Sequence, residues 1–122
     1  MVGVVLMPRF YGYEGDLIGL ATDDRHLVYR WLEPDCKILF SVARLGDGCS
    51  CHFASDKAGL RRIKQAIDEF CEFLFRKFDW CTMVLAKVNR DSVGRLIKKC
   101  GFEEVLSSNG HTAYQRSKSW VE

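Results

Sequence analysis

The chain contains only two prolines, Pro8 and Pro34. Proline interrupts helices and central strands, so everything after Pro34 is free of that interruption, and a proline-rich linker or recognition tract is excluded. Neither sign of charge prevails. Eighteen Lys and Arg against 16 Asp and Glu leave a net charge of +2, too little for the broad basic footprint of a nucleic-acid-binding domain. No run approaches the roughly 20 consecutive apolar residues of a membrane span. The stretch from Met1 to Met7 is short and lacks the basic start of an export signal, so a soluble, cytoplasmic protein is expected. Repeats and low-complexity tracts are also lacking, and a single domain spanning 1–122 follows. Hydrophobic residues make up 48% of the 122 residues, enough for a core of its own.

Six cysteines raise the question of a metal or of disulfides. Cys49, Cys51 and His52 are adjacent, and Cys36 is within reach across a hairpin, so a zinc site is conceivable. On a strand, however, Cys49 and Cys51 share one face and His52 points to the other, which prevents convergence. No metal is expected. Cys71 and Cys100 fall on apolar helix stripes and read as small core residues. Without an export signal, reduced thiols are expected.

The elements follow from periodicity and turn chemistry. Val2 to Met7 reads as a first strand closed by Pro8, and residues 10–24, with Gly12, Gly15 and Gly19, read as loop. His26 to Leu32 and Lys37 to Arg44 read as strands around Glu33-Pro34-Asp35, whose carboxylates suit an ordinary turn. A second turn at Gly46 leads into the strand Cys49 to Ala54 and completes a meander. Ser55 to Gly59 then opens a long helix ending near Phe78. Its apolar stripe is Leu60, Ile63, Ile67, Phe70, Cys71, Leu74 and Phe78, and Glu72 stands four residues before Arg76 on the polar face. Thr82 to Val88 is β-branched and apolar, a buried strand. Asn89, Asp91 and Ser92 offer oxygens that can cap a helix start, and Val93, Leu96, Ile97 and Cys100 recur at helical spacing. Gly101 ends that helix and Phe102 can fold back onto its last turn. Glu103 to Leu106 and Thr112 to Gln115 flank an Asn109-Gly110 hairpin signal. The order is that of an α/β domain with a mixed sheet.

A small-residue loop that opens a helix after a buried strand presents free amides and a positive dipole end, which suits a phosphate. Lys57, Arg61 and Arg62 would add charge. The same loop serves equally as a plain helix start, since a lone Gly59 is no phosphate signature.

The pattern Asn89-x-x-Ser92, eight residues, then Gly101-Phe102 is more specific. It resembles the second coenzyme motif of the GNAT N-acetyltransferase superfamily, and the element order over residues 26 to 116 is that of the GNAT core. The resemblance implies a mixed, mostly antiparallel sheet with splayed central strands and two main helices. It implies acetyl-coenzyme A as co-substrate, its arm lying in the splay against the backbone of Phe53, Ala54 and Ser55 and beside Asn89 and Ser92. The pyrophosphate would rest on Lys57, Ala58, Gly59, Leu60 and Arg61, although the family writes more glycine into this loop. An amine, on a small molecule or a protein, would attack the thioester with help from a base and an acid. His52, beside the splay, is the candidate base, and it reads also as an ordinary sheet histidine. The tyrosine that many members place four residues before the motif glycine is replaced by Ile97. Tyr114 or Cys100 could substitute, and both read equally as core. The helices that follow the first strand in the family have almost no counterpart here. Two functions therefore stand: an N-acetyltransferase, or a catalytically degenerate GNAT-fold protein of the compact kind carried by bacteriophages, binding or virion-associated, in host cytoplasm or particle. A ferredoxin-like or other α/β binding module sharing the pattern is a third, and a homodimer is left open.

Overall fold

The structure is a computed structural model that describes residues 9–88, 90–108 and 110–118. The expected strand at Val2 to Met7, the helix-capping residue Asn89 and the hairpin residue Asn109 lie outside the described residues.

Among the described residues, one sheet holds β1 (Phe10–Gly12), β2 (Leu27–Trp31), β3 (Ile38–Leu45), β4 (Gly48–Ser55), β5 (Met83–Val88), β6 (Glu103–Ser108) and β7 (His111–Ser117), in the order β1-β2-β3-β4-β5-β7-β6. Two α-helices, α1 (Ile63–Lys77) and α2 (Asp91–Lys98), follow β4 and β5. Every neighbouring pair is antiparallel except β4 with β5. Tight turns suffice for the hairpins, but parallel strands need a crossover, and α1 supplies it.

The crossover begins as a tighter turn. Ala58–Arg62 is a 3-10 helix, which turns every 3 residues or so, and the expected stripe residue Leu60 is thereby rotated outward to 61% exposure. From Ile63 on the α-helical period applies, and Ile63, Ile67, Phe70, Cys71 and Leu74 are buried as the periodicity predicts. Phe40 of β3 stacks on Phe70 at 4.2 Å, and Phe10 meets Phe70 edge-on at 5.1 Å. That aromatic cluster explains a strand the sequence reading places in a loop. Phe10–Gly12 pairs with β2, with Phe10 opposite Trp31, because the Phe10 ring is buried among these aromatics. Residues 13–24 hold no regular element, as expected, and the strand expected from His26 begins at Leu27.

Two expected roles of charged residues are corrected. Glu72 accepts from Arg116 of β7 at 3.3 Å, together with Asp68 at 2.6 Å, so its partner is across the fold and not Arg76. Glu33 binds both Arg9 and Arg62 at 3.0 Å, and Asp35 meets Arg62 at 3.5 Å, which ties the β2–β3 turn to the 3-10 helix. These are more than turn carboxylates.

On α2, Gly101 has φ 86°, and the Phe102 N–H donates to the Ile97 carbonyl at 3.2 Å, the glycine-stopped end that the sequence anticipates. At the helix start extended Arg90 holds the capping position with no capping side chain among the described residues, and Asp91 and Ser92, expected as caps, lie in the first turn facing solvent. Gly94 lies against the Tyr114 ring of β7, and a Cβ there would overlap the hydroxyl, so the glycine sets how closely α2 approaches the sheet. All six cysteines are buried and unbridged, with Cys49 Sγ 3.5 Å from Cys81 Sγ. Burial, reinforced by Cys81, pushes the Cys49 thiol up to about 12. No described helix is long and apolar enough to cross a membrane.

Candidate functional site

The parallel pair is short. β4 and β5 are in register from Gly48 opposite Met83 to Cys51 opposite Ala86, and there the pairing ends although β4 continues to Ser55 and β5 to Val88. On its other edge β4 stays paired to β3 as far as Ser55 opposite Ile38, and β5 stays paired to β7 as far as Val88 opposite Thr112. The sheet therefore splits between its two central strands, at their carboxyl ends, with the inner edges of Phe53, Ala54 and Ser55 unpaired among the described residues. The chain leaves both sides of the split for a helix, through Asp56 toward α1 and through Arg90 into α2. Crevices at the carboxyl ends of parallel strands are where α/β sheets receive ligands.

His52 and Lys87 are the first residues past the last pair, one on each lip of the split. Strand alternation places them together, because Cys51 and Ala86 pack on the helix-covered face and their successors point to the opposite face. That second face is covered over β2 and β3 by the segment 13–26, where the Ser41 hydroxyl donates to the Ala21 carbonyl at 2.7 Å and Leu20 is buried. The same segment brings His26 against His52, with ring centroids 5.6 Å apart. His26 Nδ1 is 2.7 Å from Asp23 Oδ1, its side chain is 10% exposed, and its Nε2 is buried with no partner among the described residues. The hydrogen bond from His26 holds the Asp23 carboxyl below the usual range, so the carboxylate is the acceptor and the Nδ1–H donates. Burial pushes the His52 imidazole below its ordinary value; the nearby His26 adds to this, Asp23 opposes it, and Lys87 lowers it further. His52 is thus neutral, and able to accept a proton, at neutral pH. The sequence reading singled out His52 but missed Asp23 and His26. Their three-residue separation after a loop is the only local signal they carry.

The loop at the split is less open than its composition suggests. The Gly59 N–H donates to Asp56 Oδ1 at 2.8 Å, and the Ser55 hydroxyl donates to the Asp56 carbonyl at 2.8 Å. Gly59 is itself buried: a Cβ would sit 2.7 Å from Ile38 Cγ1 and would overlap Ser55 Oγ. The glycine is required by packing against β3 and β4. Arg62, expected to add charge for a phosphate, is engaged by Glu33 and Asp35 and lies over the Trp31 ring at 4.9 Å. Lys57, Ala58, Leu60 and Arg61 are exposed, and neither Lys57 nor Arg61 has an ion-pair partner among the described residues. Ile97, which stands where many members of the family carry a tyrosine, is core; of the two residues considered as acids, Tyr114 is buried beneath α2, and burial pushes the Cys100 thiol up, which makes it a weak acid.

This split sheet with its crossover helix is the GNAT fold. By sequence the chain matches no protein-family model and no curated protein. By structure it is similar to an acetyltransferase of Bacillus subtilis solved in complex with CoA, with TM-score 0.70, 12% identity, and coverage of 91% of this chain and 99% of that one. It is similar also to the N-acetyltransferase PseH of Campylobacter jejuni, solved with acetyl coenzyme A, with TM-score 0.63, 11% identity, and coverage of 80% and 71%. A variant of the spermidine N-acetyltransferase SpeG of Vibrio cholerae superposes with TM-score 0.62 at 11% identity, covering 78% and 67%. At these identities the likeness is one of fold.

Proposed function

We propose that the protein is an N-acetyltransferase that takes its acetyl group from acetyl-coenzyme A. The observation that carries this reading is the split itself: β4 and β5 part after Cys51 and Ala86 and leave the inner edge of Phe53, Ala54 and Ser55 unpaired among the described residues, in a sheet otherwise laddered on both sides. Unpaired strand edges are strong hydrogen-bonding templates for an extended chain, and an amide-bearing arm fits this one. The coenzyme supplies an activated acetyl thioester. Lys57 and Arg61 would hold its phosphates, with Ala58, Leu60 and the Gly59 backbone lining the approach, and Asn89 and Ser92 would flank the arm from the other lip. The open edge supports the arm, and the loop supports the phosphates less, because Asp56 already occupies the Gly59 amide.

His52 would take the proton from the attacking amine, and the imidazolium so formed is the proton source for the departing thiolate. This closes the proton balance without the tyrosine that Ile97 replaces. His26, fixed by Asp23, stands behind His52 on the same face. A second reading, a degenerate GNAT-fold binding protein without turnover, is favoured by the buried Tyr114 and Ile97 and by the self-satisfied Gly59 loop.

Calorimetry with acetyl-coenzyme A and with coenzyme A, followed by thiol release on incubation with amines, tests both. Binding with amine-dependent thiol release is the expected result. Binding without release for any amine would leave the degenerate reading, and absence of binding would overturn the acetyltransferase reading.

A further inference from the structure

The second sheet face holds an unassigned cavity of about 230 Å³ lined by Lys87, Leu106, Ser108, His111 and Ala113. Its place follows from register. Lys87 pairs with Ala113, Ala113 with Leu106, and His111 with Ser108, so the lining runs from the open lip of β5 across β7 to the edge strand β6. Tyr114 and Ala86 are directly opposed and face the helices, which puts Lys87 and Ala113 on the face that bears His52. The cavity therefore opens beside the lip that faces His52.

Its charge is one-sided. Among the described residues no carboxylate lines it and Lys87 has no ion-pair partner, whereas Arg9, Arg62 and Arg116 on the helix side are all paired. A second cavity, of about 260 Å³, carries Glu103 and Glu104, and it flanks Gln115, opposite Leu85, where β4 and β5 are still closed. A cationic acceptor would be drawn to that cavity and away from the split.

We propose that the Lys87 cavity is the acceptor pocket and that it takes an amine which also carries an anionic group, carboxylate or phosphate. The ammonium of Lys87, with the Ser108 hydroxyl and the His111 ring, holds the anion; Leu106 and Ala113 line an apolar spacer; the amine is left at the lip beside His52. The role of the amine rests on the acetyltransferase reading, while the anion site does not depend on turnover.

The test compares butylamine, γ-aminobutyrate and putrescine, and separately ethanolamine and phosphoethanolamine, as ligands followed by backbone NMR and as acceptors followed by thiol release. The members that carry a carboxylate or phosphate should bind about tenfold more tightly than the amines that lack one, the worth of one charge-assisted hydrogen bond, with putrescine weakest, and should shift the amides of Lys87, His111 and Ala113. The tighter of γ-aminobutyrate and phosphoethanolamine identifies the anion. Lys87→Glu should reverse the order of γ-aminobutyrate and putrescine, and Lys87→Arg should restore it; Lys87 is exposed, and an unchanged thermal midpoint confirms that the variants fold. Equal binding of all five compounds, a preference for putrescine, or an order insensitive to Lys87→Glu would overturn the proposal. If no amine is acetylated yet the NMR order holds, the acetyltransferase reading fails and the anion site stands.

Discussion

Gly59→Ala separates a glycine kept for packing from one kept for a ligand. The residue does not have a positive φ, so alanine is tolerated by the backbone. The obstacle is space: the new methyl would lie 2.7 Å from Ile38 Cγ1 and 3.1 Å from its Cδ1, and would overlap Ser55 Oγ. Ile38 is fully buried, and rotating the Ser55 hydroxyl away breaks its bond to the Asp56 carbonyl. Overpacking of this kind costs about 1–3 kcal/mol. The smaller conformational freedom of alanine in the unfolded chain offsets about 0.4–1 kcal/mol of that. A net loss of about 1–2 kcal/mol should appear as a fall in thermal midpoint of roughly 4–8 °C, measured by circular dichroism. Alanine keeps the N–H, already committed to Asp56, so the affinity for acetyl-coenzyme A should change by less than about twofold, well under the roughly 1.4 kcal/mol of a tenfold step. An unchanged midpoint together with a tenfold loss of coenzyme affinity would refute the packing argument and place a phosphate against this glycine.

Three further outcomes follow from named contacts. Leu74 is fully buried under the sheet, so Leu74→Asp should abolish the cooperative unfolding transition, whereas Glu72→Ala, which removes one exposed partner of Arg116, should change stability by under about 1 kcal/mol; equal effects would mean the helix face is misassigned. If Lys57 and Arg61 hold the pyrophosphate, coenzyme affinity should fall as salt rises and Lys57→Ala with Arg61→Ala should flatten that dependence, and a salt-independent parent would refute the site. Because burial lowers the His52 pKa, the thiol-release rate should rise with pH through a limb below the ordinary histidine value of about 6.5. Asp23→Asn removes a charge that raises the pKa and should move the limb lower still, and His52→Ala should slow release by about a hundredfold with coenzyme binding retained; a full rate in that variant would exclude it as the base.

What was legible in the sequence was what is decided locally. Gly101 needs a left-handed backbone and Phe102 an apolar neighbour one turn back, and both requirements are written within a few residues, so the end of α2 was read correctly. The buried face of α1 was read because its period is uniform from Ile63 onward. Leu60 was misread because the period changes to that of a 3-10 turn just before it, and no residue marks the change. Phe10–Gly12 was missed because a three-residue edge strand is stabilised by rings from β3 and α1, far along the chain. The Asp23–His26 pair escaped for the same reason: its meaning depends on His52, which reaches it only when β4 pairs with β3 and the covering segment folds over.

The end of the β4–β5 pairing is the least local feature of all, and the topology accounts for where it falls. Each of these strands is held on its outer edge by an antiparallel partner, β3 or β7, along its whole length, while only four residues of each are held by the other. Parallel pairing is somewhat weaker per residue than antiparallel pairing, so strain from the sheet's twist is relieved between β4 and β5 before it is relieved elsewhere. The amino ends of the pair are pinned, since Thr82 N–H and its hydroxyl both donate to the Asp47 carbonyl, at 2.8 and 3.0 Å. Opening is left to the carboxyl ends, where the chain departs for α1 and α2. The same topology that makes the crossover necessary therefore delivers an unpaired backbone edge, two exposed cations at Lys57 and Arg61, and the facing side chains of His52 and Lys87 to one end of one pair of strands.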